Sequence, residues 1–178
     1  MTIPNVVSLV RIALIPSITY FLCFSNCTFA GIEYKYIACA LFILVALSDA
    51  LDGYLARKLN QVTTLGKLLD PLADKLLVIA VLIVLIEKRL VPALPVMLII
   101  MRDLTISLFR GLAASRHLII AASPWGKIKT VLQVIAIAML ILSLPFAIEV
   151  LWVSITITLL TGAQIIWNNK EVLYERTT

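Results

Sequence analysis

The sequence has little charge, little glycine and proline, and few metal-binding side chains other than carboxylates. Only 14% of its 178 residues are charged, whereas about 25% are charged in soluble domains. The 6 glycines and 7 prolines are too few for a disordered or fibrous chain, and 3 cysteines with 1 histidine provide neither a disulfide scaffold nor a zinc site. In contrast, 62% of the residues are hydrophobic, and the mean hydropathy is +1.07. These values exclude a water-soluble globule and predict an integral membrane protein.

Six apolar segments are each long enough to cross a bilayer as a helix, which takes about 20 apolar residues. Their continuous apolar character favours helices over the alternating strands of a membrane barrel. We therefore expect an all-α, polytopic membrane protein, a bundle of six transmembrane helices, in which residues 1–178 form a single domain. The predicted spans are Pro4–Phe24, Tyr36–Ala56, Leu68–Ile86, Val91–Leu112, Ile128–Leu144 and Ile148–Trp167.

The basic residues are distributed unevenly between the two faces of this bundle. With a cytoplasmic N-terminus, 12 of the 15 Lys and Arg lie towards the cytoplasm, and only Lys35, Lys88 and Arg89 lie towards the other face. This asymmetry follows the positive-inside rule. We therefore predict a multi-pass protein of the cell inner (cytoplasmic) membrane, with both termini in the cytoplasm. The net charge of +5 reflects this topology, and no nucleic-acid partner is expected.

Four aspartates lie within or at the ends of the second and third apolar segments, where a charge costs about 2.5–3.5 kcal/mol near the membrane centre. They are Asp49, Asp52, Asp70 and Asp74. The first two are spaced i, i+3 and the last two i, i+4, so each pair lies on one face of its helix. A short connection makes the two helices antiparallel neighbours, so the four carboxylates can converge. All-oxygen ligation favours Mg²⁺ or Mn²⁺, with Ca²⁺ as a further candidate.

Intramembrane carboxylates are also found in divalent-cation transporters, which need a polar path that continues to the far face. The far halves of these segments are apolar, so the pattern favours an enzyme whose water-soluble substrate enters from the cytoplasm. Gly53 and Ala56 continue the face of the first aspartate pair, which leaves room for a flat ligand or, alternatively, for close helix packing. Arg57 can hold a phosphate at the end of this helix.

The segment Ser48–Lys75, SDALDGYLARKLNQVTTLGKLLDPLADK, resembles the signature of the CDP-alcohol phosphatidyltransferase family. That signature is DxxDGxxAR, a spacer of eight residues, and GxxxDxxxD, and all eight fixed positions match. The opening IPNVVSLVRIALIP and the later GKIKT of residues 126–130 are similar to the bacterial phosphatidylglycerophosphate synthase branch of that family. The matching positions are Asp49, Asp52, Gly53, Ala56, Arg57, Gly66, Asp70 and Asp74.

The resemblance implies a single catalytic domain that transfers the phosphatidyl group of CDP-diacylglycerol to an alcohol, by direct in-line attack and with release of CMP. It implies that the four aspartates bind a pair of Mg²⁺ or Mn²⁺ ions, that Asp74 is the catalytic base, and that the protein is a homodimer. The residues that the resemblance assigns to the CDP moiety are Asn5, Asp52, Gly53, Ala56, Arg57 and Gly66. For Asn5, the alternative interpretation is a helix cap.

The similarity points to sn-glycerol 3-phosphate as the acceptor and to phosphatidylglycerol phosphate as the product. The alternatives are inositol phosphate, serine or phosphatidylglycerol as the acceptor. The candidates for binding the acceptor phosphate are Arg110, Lys127, Lys129 and Lys75. Lys127 and Lys129 have a second interpretation as interfacial anchors, and Lys75 has a second interpretation as a counter-ion of the carboxylates. We interpret Arg102 and Asp103 as a structural pair, at a position where the family often has Glu in place of Asp103.

Overall fold

The computed structural model describes residues 3–29, 31–58, 64–115 and 124–170, and within these ranges it describes the side chains outside 3–8, 29, 49–58, 64–71 and 124–127. Six helices lie in these ranges, each within a few residues of a predicted span. The all-α class is confirmed. The helices are α1 (Ile3–Cys23), α2 (Tyr34–Lys58), α3 (Thr64–Glu87), α4 (Ala93–Ser115), α5 (Pro124–Ile141) and α6 (Ala147–Asn168).

The structure adds one short hairpin that is not among the predicted elements. Between α1 and α2, β1 (Thr28–Phe29) pairs antiparallel with β2 (Ile32–Glu33), with Phe29 opposite Ile32. Gly31 in the turn has φ 82, a conformation that glycine adopts without steric cost. The hairpin is too short to show an alternating pattern, so the sequence does not predict it.

The first of two compact units comprises Met1–Val91 and Ile137–Pro145. In this unit α1 packs against α2 and α3, which also contact each other. Pro71 lies inside α3 rather than in its first turn, and it cannot donate the helical hydrogen bond to the carbonyl of Lys67. The fully buried side chains of this core include Ile18, Leu22, Phe42, Leu77 and Leu85.

The second unit comprises Pro92–Ala136 and Phe146–Thr178. Its main helix contact joins α4 to α6. Phe109 and Ala113 of α4 are buried and pack against Ile165 and Ile166 of α6. Besides the apolar Leu151 and Ile155, the buried side of α6 carries four small or polar residues, which allow two helix backbones to approach closely. These residues are Ser154, Thr158, Thr161 and Gly162.

By length and composition, one of the described helices, α6, is long and apolar enough to cross a membrane. Shorter apolar helical stretches are found at Leu9–Cys23, Tyr34–Ser48 and Ile128–Ile141.

Candidate active site

The four predicted metal-binding positions lie on two helices of the first unit that contact each other. Asp49 and Asp52 belong to the C-terminal part of α2, and Asp70 and Asp74 to the first half of α3. Because the backbone is helical at these positions, the two aspartates of each pair lie on one face of their helix. Of the four side chains, that of Asp74 is described, and it is partly buried. The side chains of the other three lie outside the described residues.

The donor chemistry of these positions suits a hard divalent cation, because all four residues offer carboxylate oxygens. Among the described side chains, the structure contains no cluster of three or more His, Cys, Asp or Glu that could hold a metal ion. This finding does not bear on Asp49, Asp52 and Asp70, whose side chains are not described. The metal site therefore stays a prediction.

The candidates for the CDP moiety follow the same helices. Gly53, Ala56 and Arg57 lie in α2, and Gly66 lies in the first turn of α3. Their surroundings, like the side chain of Asn5, are outside the described residues. Asn5 is the third residue of α1, which begins at Ile3, so the alternative interpretation of Asn5 as an N-cap is not supported.

The candidates for the acceptor phosphate differ in their exposure. Arg110 is exposed on α4, and it forms no ion pair with the described side chains. Lys129 lies on α5 with only 12% of its side chain exposed. Lys75, next to Asp74 on α3, is partly buried, and the side chain of Lys127 is outside the described residues.

Lys129 is part of an ionic group that we call the Asp103 cluster, consisting of Arg102, Asp103 and Lys129. Asp103 Oδ1 lies 2.9 Å from Arg102 Nη1 and 2.8 Å from Lys129 Nζ. The predicted pairing of Arg102 with Asp103 is thus confirmed. Lys129 lies on α5, 26 positions after Asp103, and its contact with Asp103 was not predicted.

Helix α6 contacts the other side of this cluster. Arg102 Nε donates to the carbonyl oxygen of Thr158 at 3.0 Å, and Arg102 Nη2 makes a longer contact of 3.4 Å with Thr161 Oγ1. A Cβ atom at Gly162 would lie 3.2 Å from Arg102 Nε, closer than ordinary van der Waals contact. The absence of a side chain at Gly162 therefore lets the guanidinium group lie against the backbone of α6.

Two buried polar residues were not among the predicted site residues. Arg11 of α1 is 3% exposed, and Gln133 of α5 is 5% exposed. The amide nitrogen of Gln133 has no hydrogen-bond partner among the described residues. Gln133 follows Lys129 by four positions, so the two lie on one face of α5. A polar residue within an otherwise apolar run is the sequence signal that could have identified both.

Comparison with known proteins extends the resemblance over nearly the whole chain. The profile of the family described as CDP-alcohol phosphatidyltransferase matches residues 1–162. A CDP-diacylglycerol–glycerol-3-phosphate 3-phosphatidyltransferase of Bacillus subtilis (strain 168) is 41% identical, over 96% of this chain and 96% of the relative. A protein of the same name from Rickettsia bellii is 37% identical over 90% of this chain and 91% of the relative. CDP-diacylglycerol–glycerol-3-phosphate 3-phosphatidyltransferase 2 of Arabidopsis thaliana is 34% identical over 86% and 73%.

Proposed function

Because this chain belongs to the CDP-alcohol phosphatidyltransferase family, a family of membrane enzymes, we propose that it transfers the phosphatidyl group of CDP-diacylglycerol to sn-glycerol 3-phosphate. The products are phosphatidylglycerol phosphate and CMP. The observation that carries the proposal is the similarity to relatives named for this reaction, at 41% identity over 96% of both chains for the Bacillus subtilis protein. The signature aspartates, which lie on two contacting helices, support the same reaction.

In the proposed reaction, the acceptor hydroxyl oxygen forms a bond to the phosphorus of the phosphatidyl group. The bond from that phosphorus to the CMP oxygen breaks, and CMP leaves with the electron pair. Asp74 accepts the hydroxyl proton. Its partly buried position on α3, one turn after Asp70, suits a base that acts next to a group of carboxylates.

Asp49, Asp52, Asp70 and Asp74 would hold Mg²⁺ or Mn²⁺, and we propose a pair of ions. When bound, they supply electrophilic activation of the pyrophosphate and balance the charge that develops on the departing CMP. Asn5, Asp52, Gly53, Ala56, Arg57 and Gly66 bind the CDP moiety in this proposal.

The acceptor carries its own phosphate, so its binding requires fixed positive charge. Arg110, Lys127, Lys129 and Lys75 are the residues that we propose for this role. The exposed guanidinium of Arg110 supports it, because a charged side chain within an apolar helix is costly and needs a functional reason. The described contact of Lys129 with Asp103 gives this ammonium group a defined position.

We further propose that all six helices lie in the lipid bilayer, that the chain forms one catalytic domain, and that the active site and both termini face the cytoplasm. Large apolar side chains are exposed on every helix, such as Leu44 at 65%, Leu108 at 71% and Leu160 at 66%. Soluble monomers rarely expose continuous apolar surface on this scale. Assembly as a homodimer is part of the proposal and rests on the family.

The test is CMP release from CDP-diacylglycerol by the purified protein in detergent, with Mg²⁺ or Mn²⁺. Each acceptor is supplied separately: glycerol 3-phosphate, inositol 1-phosphate, inositol, serine or phosphatidylglycerol. We expect release with glycerol 3-phosphate and its loss in Asp74→Asn. The matched control is Glu149→Gln, which makes the same chemical change at an exposed position in the first turn of α6 and should retain activity.

Release with a different acceptor would keep the reaction class and refute the proposed acceptor. No release with any acceptor, from protein whose melting shows it to be folded, would refute the transferase. Full activity in Asp74→Asn would refute the assignment of the base.

A further inference from the structure

Asp103 is the centre of the only ionic group of three side chains in the described part of the second unit. One of its carboxylate oxygens, Oδ1, lies within 2.9 Å of Arg102 Nη1 and 2.8 Å of Lys129 Nζ. The exposed fractions of these side chains are 11% for Arg102, 19% for Asp103 and 12% for Lys129. With so little surrounding water, charge-assisted hydrogen bonds of this kind are strong and directional.

Arg102, which contacts α6, fixes the position of the Asp103 carboxylate. Arg102 donates through Nε to the Thr158 carbonyl oxygen at 3.0 Å, so its guanidinium plane cannot rotate without loss of that bond. The clearance at Gly162 keeps the same group close to the α6 backbone. A rigid, planar cation thus holds Asp103, and Asp103 in turn holds the flexible side chain of Lys129.

Asp103 and Arg110 are seven residues apart in α4, which is close to two complete helical turns, so both lie on the same face of that helix. The distance between them along the helix axis is about 10 Å. The contact with Asp103 therefore brings the ammonium group of Lys129 to the α4 face that carries Arg110. Lys129 and Arg110 thus contribute two positive charges to one face of α4, and the binding of a phosphate group requires such charge.

We propose that Asp103 is a positioning residue for acceptor binding, which orients Lys129 towards the phosphate of the acceptor. The inference rests on the proposed function, because it assumes that Lys129 binds this phosphate. Asp103 itself does not contact the acceptor. Its carboxylate accepts a hydrogen bond from the lysine ammonium, a group with three hydrogens to donate.

The test compares Asp103→Asn, Asp103→Glu, Lys129→Gln and the double variant Asp103→Asn/Lys129→Gln, all as full-length protein in detergent with CDP-diacylglycerol and Mg²⁺. The KM for glycerol 3-phosphate, the KM for CDP-diacylglycerol, kcat and Tm are measured for each. Glu149→Gln is again the matched carboxylate-to-amide control.

We expect Asp103→Asn to raise the KM for glycerol 3-phosphate about tenfold, the factor for one lost charge-assisted hydrogen bond, with the KM for CDP-diacylglycerol unchanged. Asp103→Glu keeps the carboxylate and should lie closer to the wild type than to Asp103→Asn. In the Lys129→Gln background, Asp103→Asn should cause no further increase, because a residue that acts through Lys129 has no effect once Lys129 is removed.

Three results would overturn the inference while the proposed function stands. The first is an unchanged KM for glycerol 3-phosphate in Asp103→Asn. The second is a lower KM for glycerol 3-phosphate in that variant, which would show that Asp103 competes with phosphate for Lys129. The third is a rise in the KM values for both substrates that adds to the effect of Lys129→Gln. An unchanged KM for glycerol 3-phosphate in Lys129→Gln would instead refute the phosphate-binding role of Lys129, and the inference with it. If the wild type releases no CMP with glycerol 3-phosphate, the proposed function itself fails.

Discussion

Replacement of Arg102 by methionine is expected to destabilise the packing of α4 against α6. Methionine fills much of the volume of the arginine stem but cannot donate the hydrogen bonds to the Thr158 carbonyl oxygen and to Asp103. The longer contact with Thr161 Oγ1, at 3.4 Å, contributes less, because hydrogen bonds weaken steeply at such distances.

The size of the effect follows from these bonds. A hydrogen bond that involves a charged group contributes about 1.5–3 kcal/mol to stability. Removal of one partner of a buried ion pair costs about 3–5 kcal/mol when the other charge is left alone. Here Asp103 keeps Lys129 at 2.8 Å, so its charge stays compensated and the lower range applies. We expect a loss of about 2–3 kcal/mol in the free energy of unfolding.

Thermal unfolding in detergent, followed by tryptophan fluorescence, measures this loss. Two of the three tryptophans, Trp152 and Trp167, lie in α6 and the third, Trp125, lies in α5, so most of the signal comes from the helix that Arg102 contacts. For a chain of this length, 1 kcal/mol corresponds to about 2–4 °C in Tm, which predicts a decrease of about 4–12 °C. Arg110→Met is the matched control, because it makes the same change on α4 at an exposed side chain.

The reasoning would be refuted if Arg102→Met melted at the wild-type temperature, or if Arg110→Met lowered Tm equally. The first result would mean that the Thr158 bond contributes nothing to stability. The second would mean that the loss reflects charge removal anywhere on α4, without regard to the contacts of Arg102.

Three further predictions concern the same helices and the metal. Gly162→Val should lower Tm, because even a Cβ atom would lie 3.2 Å from Arg102 Nε and the added methyl groups must displace Arg102. A Tm equal to that of the wild type would show that the space beside Gly162 is unimportant for stability. Gln133→Met should raise Tm by about 2–4 °C, since it removes a buried amide nitrogen that lacks a partner among the described residues and whose desolvation costs about 1 kcal/mol or more; a lower Tm would contradict this. Chelation of divalent metal should abolish CMP release, and added Mg²⁺ or Mn²⁺ should restore it; activity in excess chelator would refute the metal requirement.

Local features of the sequence predict the helices well. Each apolar run is a continuous signal, and all six described helices lie within a few residues of their predicted spans. The hairpin at residues 28–33 was missed because two-residue strands carry no periodicity. The role of Pro71 also could not be decided from sequence, since a proline fits both the first turn of a helix and an interior site whose freed carbonyl is tolerated.

The candidate site was predictable where its residues are close in sequence. That Asp49 and Asp52 share one face of α2 follows from helical geometry alone. The pairing of Arg102 with Asp103 is also local, because the two residues are adjacent in the chain. The contact between Asp103 and Lys129 joins two different helices. It depends on the packing of α4 and α5, which a single sequence does not specify, so it could not be predicted.

The arrangement on α6 explains how a guanidinium group is accommodated in so apolar a chain. The hydroxyl of Thr161 donates within its own helix, to the carbonyl oxygens of Ile157 and Thr158, so its oxygen can still accept a hydrogen bond from Arg102. The Thr158 carbonyl oxygen accepts from Arg102 as well, through the capacity that a carbonyl retains beyond its helical bond. Side chains larger than those of Thr161 and Gly162 would keep Arg102 away from these oxygens, and the guanidinium would then be buried without acceptors, which is costly. The small, polar side of α6 is therefore what permits a charged cluster to form on α4, and that cluster gives Lys129 its fixed position.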